Sequence, residues 1–246
     1  MTHATASAAA DSWLGSGLGQ AVLQAESELM SEALDDVFGW ELLQLGNWGA
    51  SERLLAGSRT RRRAVIADRR AASSDADIVA RLSQLPIANG SVDAVVLPHT
   101  LEFETDPFAV VREADRVLAG EGQLIVLGFR PFSLWGFRSR AISRGYPPGL
   151  KRMLGARRIA DWLELLGYDV APTRNYLFAP PWGGAVPKAG EPSALLRRGW
   201  LKPWPAGAYL IKARKRLYTL TPLRPKLQRT QAIGGLVKPT TPRQSS

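Results

Sequence analysis

The chain has 246 residues, 45% of them hydrophobic, with 32 Lys and Arg against 22 Asp and Glu. That length and hydrophobic content suit one substantial core with appendages. The absence of cysteine excludes disulfides, thiolate metal sites and a cysteine nucleophile, and it fits a reducing, cytoplasmic setting. No apolar run reaches membrane-spanning length. The net charge of +10 is unevenly placed: residues 1–122 hold 10 basic and 18 acidic side chains, residues 123–246 hold 22 and 4. A basic half attracts phosphate-bearing partners, so polyanion binding by the C-terminal half is expected, alongside the plainer reading of a solvated face.

Residues 1–16 begin with an Ala/Ser/Thr-rich run without the basic start and apolar core of a secretory signal, and are expected to form a disordered leader. From Leu18 to Phe38, Val22, Ala25, Leu29, Ala33 and Val37 share one helical face, and Gly39 sits where a helix cap belongs. Trp40–Leu45 is a plausible first strand, followed by the turn Gly46-Asn47-Trp48-Gly49-Ala50 and a short helix from Ser51. Ala64–Ala67 is a second strand ended by Asp68, 22 positions after Gly46. A carboxylate at that distance, at a strand's carboxyl end, can accept both hydroxyls of a ribose. The competing reading pairs Asp68 with Arg69 and Arg70 on the surface. Asp77–Ala80 is an edge strand.

The most informative stretch is Val92–Phe129. Ala94–Leu97 is a short apolar run, suited to a strand buried on both faces. Asp106-Pro107 is a helix start, with an N-cap acceptor before a proline pre-set for the first turn. Val110, Val111, Ala114, Val117 and Leu118 fall on one face of that helix, Gly120 and Gly122 end it, and Leu124–Leu127 is a second buried run. Strand, amphipathic helix and strand make a βαβ unit, hence a parallel sheet whose ligands bind beyond the strands' carboxyl ends. Two segments lie there: Pro98–Glu104, with His99 and Glu102, and Arg130–Arg138, with Phe132 and Trp135. Aromatics among arginines suit a flat anionic substrate, while each ring is also a plausible core plug. Tyr168–Val170 and Ala208–Ile211 are the last strands. Between them Asn175–Gly207 is a Pro, Gly and Trp-rich insertion suited to covering a substrate, and residues 217–246 form a basic, proline-containing tail.

The ordered run Leu85-Pro86, Asn89-Gly90-Ser91, Asp93, His99, Glu102, Asp106-Pro107, Arg116-Val117-Leu118 and Gly120-Glu121-Gly122 resembles the class I S-adenosylmethionine-dependent methyltransferases. Within them it is most similar to the Methyltransferase type 11 group. The resemblance covers residues 17–216 and implies an α/β, Rossmann-like sheet of seven strands, mostly parallel, with an antiparallel last strand. It implies S-adenosyl-L-methionine as cofactor, held by Gln44, Gly46, Asn47, Trp48, Gly49, Asp68, Arg81, Leu82, Leu97 and Pro98. Gln44, Trp48 and Ala50 depart from the usual acid and glycines of the first motif. Arg81 stands where an acid commonly holds the adenine amino group, and guanidinium has donors only. His99 is the candidate general base, with a capping or packing role as the competing reading, and Glu102, Arg130, Phe132, Trp135 and Arg138 lie on the substrate side, with no metal. The competing readings are a fold retired from catalysis, serving as a binding or regulatory protein, and a nucleic-acid or anionic-membrane binder working through the basic half.

Overall fold

Buried runs of β-branched and aliphatic residues build a central sheet in the computed structural model, which describes residues 3–49, 51–68, 76–142, 145–182 and 205–217. The strands are β1 (Glu41–Leu45), β2 (Arg62–Asp68), β3 (Ile78–Ala80), β4 (Val92–Pro98), β5 (Leu118–Phe129), β6 (Tyr168–Val170), β7 (Arg174–Tyr176) and β8 (Ala208–Lys215). Their order is β3-β2-β1-β4-β5-β8-β6, with β7 also on β8. From β3 to β5 all neighbours are parallel, whereas β8 is antiparallel to β5, β6 and β7.

Eight described strands replace the seven expected, and one residue explains it. Beyond Val170, Pro172 has no N–H for a ladder, so the strand stops and resumes at Arg174. β6 takes one end of β8, at Ala213–Lys215, and β7 the other, at Ala208–Leu210. β5 is also longer than the buried run suggested. It starts at Leu118, directly after the helix, and Glu121 takes a left-handed φ of 67° between the two glycines read as the helix end.

The helices are α1 (His3–Leu14), α2 (Gly17–Leu34), α3 (Ser51–Leu54), α4 (Thr100–Phe103), α5 (Pro107–Val117), α6 (Leu134–Ala141) and α7 (Ala156–Leu165). Alternate residues of the strands supply two cores. Leu42, Ala94, Val96, Ile125, Leu127 and Phe129 face α2, while Leu43, Leu45, Val95, Leu97, Leu124 and Val126 face α5 and α7. α5 starts as predicted: Asp106 Oδ1 accepts from Ala109 N at 3.1 Å, and Pro107 occupies the first turn. The disordered leader is corrected. Its alanines favour helix, and Trp13 and Leu14 at the end of α1 enter the core beside α2. The tail from residue 218 onward lies outside the described residues, as does most of the insertion between β7 and β8.

Several of the resemblance's most recognisable residues prove to be braces. The Asp93 carboxylate accepts from Trp40 N at 2.6 Å and Glu41 N at 3.0 Å, fixing the start of β1 against β4. The Arg116 guanidinium donates to the carbonyls of Ile87 (2.9 Å) and Leu85 (3.1 Å), to Asn89, and to both oxygens of Glu113 at 2.7 and 3.0 Å. Glu113 in turn accepts from Leu85 N at 2.6 Å. One side chain of α5 thereby closes the loop that leads into β4.

Candidate functional site

β1 and β4 are adjacent and parallel, so the turns that leave their carboxyl ends meet. The turn after β1 requires its first glycine. Gly46 has φ +89°, and a Cβ there would lie 2.7 Å from Thr100 Oγ1. Thr100 Oγ1 also donates to the Leu45 carbonyl, and Gly46 N donates to Ile66 O at 2.8 Å, which ties the turn to both neighbouring strands. Gln44, wholly buried, donates from Nε2 to Gly46 O at 3.1 Å. Its Oε1 has no partner, alone in this among buried side-chain nitrogens and oxygens of the described residues.

Past β4 the chain turns at His99, which takes a left-handed φ of 56° to begin α4. That turn sends the imidazole inward between two carboxylates. Nε2 lies 2.8 Å from Glu26 Oε1 of α2, and Nδ1 lies 2.9 Å from Glu102 Oε2 of α4. Glu26 also accepts from Trp48 Nε1 at 2.7 Å and from the Tyr176 hydroxyl at 3.1 Å, and Glu102 Oε1 accepts from Phe129 N at 2.8 Å. Rings wall in the cluster: Trp48 and Phe129 have centroids 4.4 and 4.1 Å from that of His99, and Trp135 stacks on Phe129 at 5.5 Å. His99, Glu26 and Glu102 are essentially inaccessible to water.

Burial by itself would lower the His99 pKa. The Glu26 charge and hydrogen bonds donated to both glutamates outweigh it and raise the value from 6.5 to about 9. Burial raises the Glu102 carboxyl above its ordinary value, with the hydrogen bond and charge of His99 working against the rise. Burial also pushes the Tyr176 phenol far up, so it remains a donor to Glu26. The raised value favours an imidazolium whose two N–H groups donate to Glu26 and Glu102. The general-base expectation is revised on geometry: both ring nitrogens are engaged by carboxyl groups in a cluster closed to water, so neither is offered to a substrate.

The remaining expected residues divide. Gln44, Gly46, Trp48, Leu97, Pro98, His99 and Glu102 converge at the ends of β1 and β4, all buried, with Asn47 and Gly49 half-buried beside them. Asp68 is half-buried at the end of the neighbouring β2, paired in register with Ala80, so that Arg81 and Leu82 follow close by. Leu82 is buried; Arg81 is exposed and bridges back to Gln84. Trp48 points its indole inward, so its backbone rather than its ring is offered at the turn. On the substrate side, Trp135 is a core plug whose Nε1 donates to Ala179 O at 3.0 Å. Arg138 lies over Tyr146 at 4.1 Å, Arg130 is half-buried, and Phe132 stands out in solvent. The sequence reading missed Glu26 and Tyr176. Glu26 carried a signal, a carboxylate among the inward positions Val22, Ala25 and Leu29; Tyr176 carried none.

A family model for a methyltransferase domain matches residues 49–126. The uncharacterized protein YafS of Escherichia coli is 33% identical over 217 residues, covering 87% of this chain and 84% of its own. A Thermotoga maritima S-adenosylmethionine-dependent methyltransferase, described as a possible histamine N-methyltransferase, superposes with a TM-score of 0.58 at 17% identity, over 81% of this chain and 92% of the other. YcgJ of Bacillus subtilis superposes with a TM-score of 0.52 at 16% identity, over 79% and 99%.

Proposed function

We infer the chemistry of the site from the premise that the chain belongs to the class I S-adenosylmethionine-dependent methyltransferases, in the family it shares with YafS. It is a methyltransferase that uses S-adenosylmethionine on an acceptor of unspecified identity. The observation that carries the reading is the strand order β3-β2-β1-β4-β5, with the Gly46 turn leaving β1 and the Asp68 carboxylate ending the adjacent β2. The partnerless Gln44 Oε1 at the same turn supports the fit, because a buried acceptor without a donor suits a ligand that brings N–H groups.

In this reading Asp68 accepts the ribose hydroxyls, and the backbone of Gly46, Asn47, Trp48 and Gly49 borders the amino-acid part with Gln44. Leu82, Leu97 and Pro98 supply apolar contact to the adenine ring, with Arg81 at its rim. When bound, the cofactor supplies an electrophilic methyl group on a sulfonium, whose departure leaves a neutral thioether. Such a transfer depends chiefly on alignment, and needs little acid–base machinery. His99 accordingly acts as a positioning residue. Its imidazole joins Glu26 of α2 to Glu102 of α4 and holds α2 against the turn that follows β4. The lack of cysteine supports a cytoplasmic setting, and among the described residues no helix is long and apolar enough to cross a membrane.

One observation favours a second reading, a fold retained for binding without turnover. Trp48 stands at the middle-glycine position and packs its ring into the cluster beneath α1 and α2. Calorimetric titration with S-adenosylhomocysteine separates the two. Binding that Asp68→Ala weakens by about tenfold or more supports the cofactor site. No heat at millimolar ligand leaves the retired fold.

A further inference from the structure

The helix that follows β5 carries a surface the methyl-transfer site does not use. α6 and the loop before it expose Phe132 (82% accessible) and Phe137 (69%), and Trp182 (55%) lies nearby, beyond Pro181. Three bonds hold this display rigidly. Ser133 caps α6 by accepting from Gly136 N at 3.1 Å, Trp135 is locked in the core beneath it, and Arg138 Nη1 donates to Pro181 O at 2.5 Å. Arg140 covers the Phe132 ring at 5.4 Å and donates to Pro131 O at 2.8 Å. Among the described residues neither Arg138 nor Arg140 meets a carboxylate. In sequence the segment from Gly122 to Ala160 contains eight Lys and Arg and no Asp or Glu.

We propose that this face docks on an anionic lipid bilayer, with Phe132 and Phe137 entering the headgroup region and Arg140 and its neighbours meeting lipid phosphates. Large exposed apolar rings beside cations, with no acid to repel an anionic surface, are the chemistry of interfacial membrane binding. The guanidinium over Phe132 supports a lipid over a nucleic acid. It already occupies one face of the ring and restricts the stacking by which aromatics hold bases, whereas arginine beside an inserted ring reaches phosphates from the interface. Ile142, exposed and aliphatic at the end of α6, adds area that gains from lipid and cannot stack. The proposal stands whatever reaction the site performs.

The test is co-sedimentation of the full-length protein with phosphatidylcholine vesicles, with and without phosphatidylglycerol, and with a single-stranded RNA oligonucleotide as competitor. Binding is expected only where phosphatidylglycerol is present. It should fall by about tenfold or more in the double variant Phe132→Ser, Phe137→Ser, and several-fold in Arg140→Glu. The phenylalanines are solvent-exposed, so the double variant should keep its thermal unfolding midpoint. The proposal is overturned if the double variant binds the anionic vesicles as wild type does, if neutral vesicles bind equally well, or if RNA is bound through these residues while vesicles are ignored.

Discussion

Replacing Glu26 by Gln keeps the shape at the centre of the buried cluster and removes one charge. In the wild type, His99 is raised from 6.5 to about 9, with Glu26 the largest raising influence. A group whose folded pKa is raised stabilises the fold fully below its ordinary value and loses that contribution as pH climbs through the folded value. The window here is pH 6.5 to about 9. At about 1.4 kcal/mol for each tenfold in proton affinity, the contribution is about 3 kcal/mol, present at the lower end and gone at the upper. In Glu26→Gln the charge disappears while burial remains, and one of the two acceptor oxygens becomes an amide donor, so the imidazole titrates lower and the dependence across this window flattens. The variant should also be less stable below pH 6.5, by about 1–3 kcal/mol, because His99 keeps Glu102 as a partner while one buried donor at Glu26 loses its acceptor. Urea unfolding of both proteins at the two ends of the window measures the difference directly. A variant whose stability declines with pH as steeply as the wild type's would refute the argument, because the raised affinity of His99 would then have another source.

Asp68→Ala should weaken S-adenosylhomocysteine by about tenfold or more in a calorimetric titration, since charge-assisted hydrogen bonds are worth about 1.5–3 kcal/mol each. Arg81→Asp should tighten the same ligand, by supplying an acceptor for the adenine amino group; a flat titration would place Arg81 outside the adenine contact. Trp48→Phe removes the donor to Glu26 Oε2, and thermal or urea denaturation should show a loss of about 1–3 kcal/mol while the pH dependence attributed to His99 persists. Arg116→Lys cannot span two carbonyls and a carboxylate with one ammonium, so urea unfolding should report a loss of about 1–3 kcal/mol with cofactor affinity unchanged.

Much of the sheet was legible because its strands are buried on both faces and its βαβ unit carries strong local signals: Asp106-Pro107 to start α5, and a clean apolar stripe along it. The departures arose where tertiary packing overrode local pattern. Residues 1–16 lack the marks of an amphipathic helix, yet α1 forms because Trp13 has a cavity to fill beside Trp48, Trp135 and Tyr146. Pro172 was visible, but its effect depends on β8 being long enough to pair on both sides of the break. At the site, the residues after β4 could be placed from the strand's end alone. What they do could not, since the partner that determines the protonation of His99 is Glu26, 73 positions earlier in the chain. A lone histidine after a strand is open to a packing reading and to a base reading until its environment is known, and here both of its ring nitrogens face carboxyl groups.

The split caused by Pro172 bears on how this protein behaves in a crowd of its own copies. An open sheet is vulnerable along its borders, where unpaired N–H and C=O groups can recruit a strand from another chain. Here β3 is three residues long at one border, and β6 and β7 are three residues each at the other. Neither presents a ladder long enough to hold a foreign strand in register. Arg174 and Asp169 put charged, hydrated side chains on the second border, each held by an ion pair within the chain, with Glu32 and Arg216 respectively. The long strands most able to template growth, β4, β5 and β8, are enclosed between neighbours. Replacing Pro172 with a β-branched residue would favour a continuous strand there, and with it a longer edge ladder open to self-association than the described strands present.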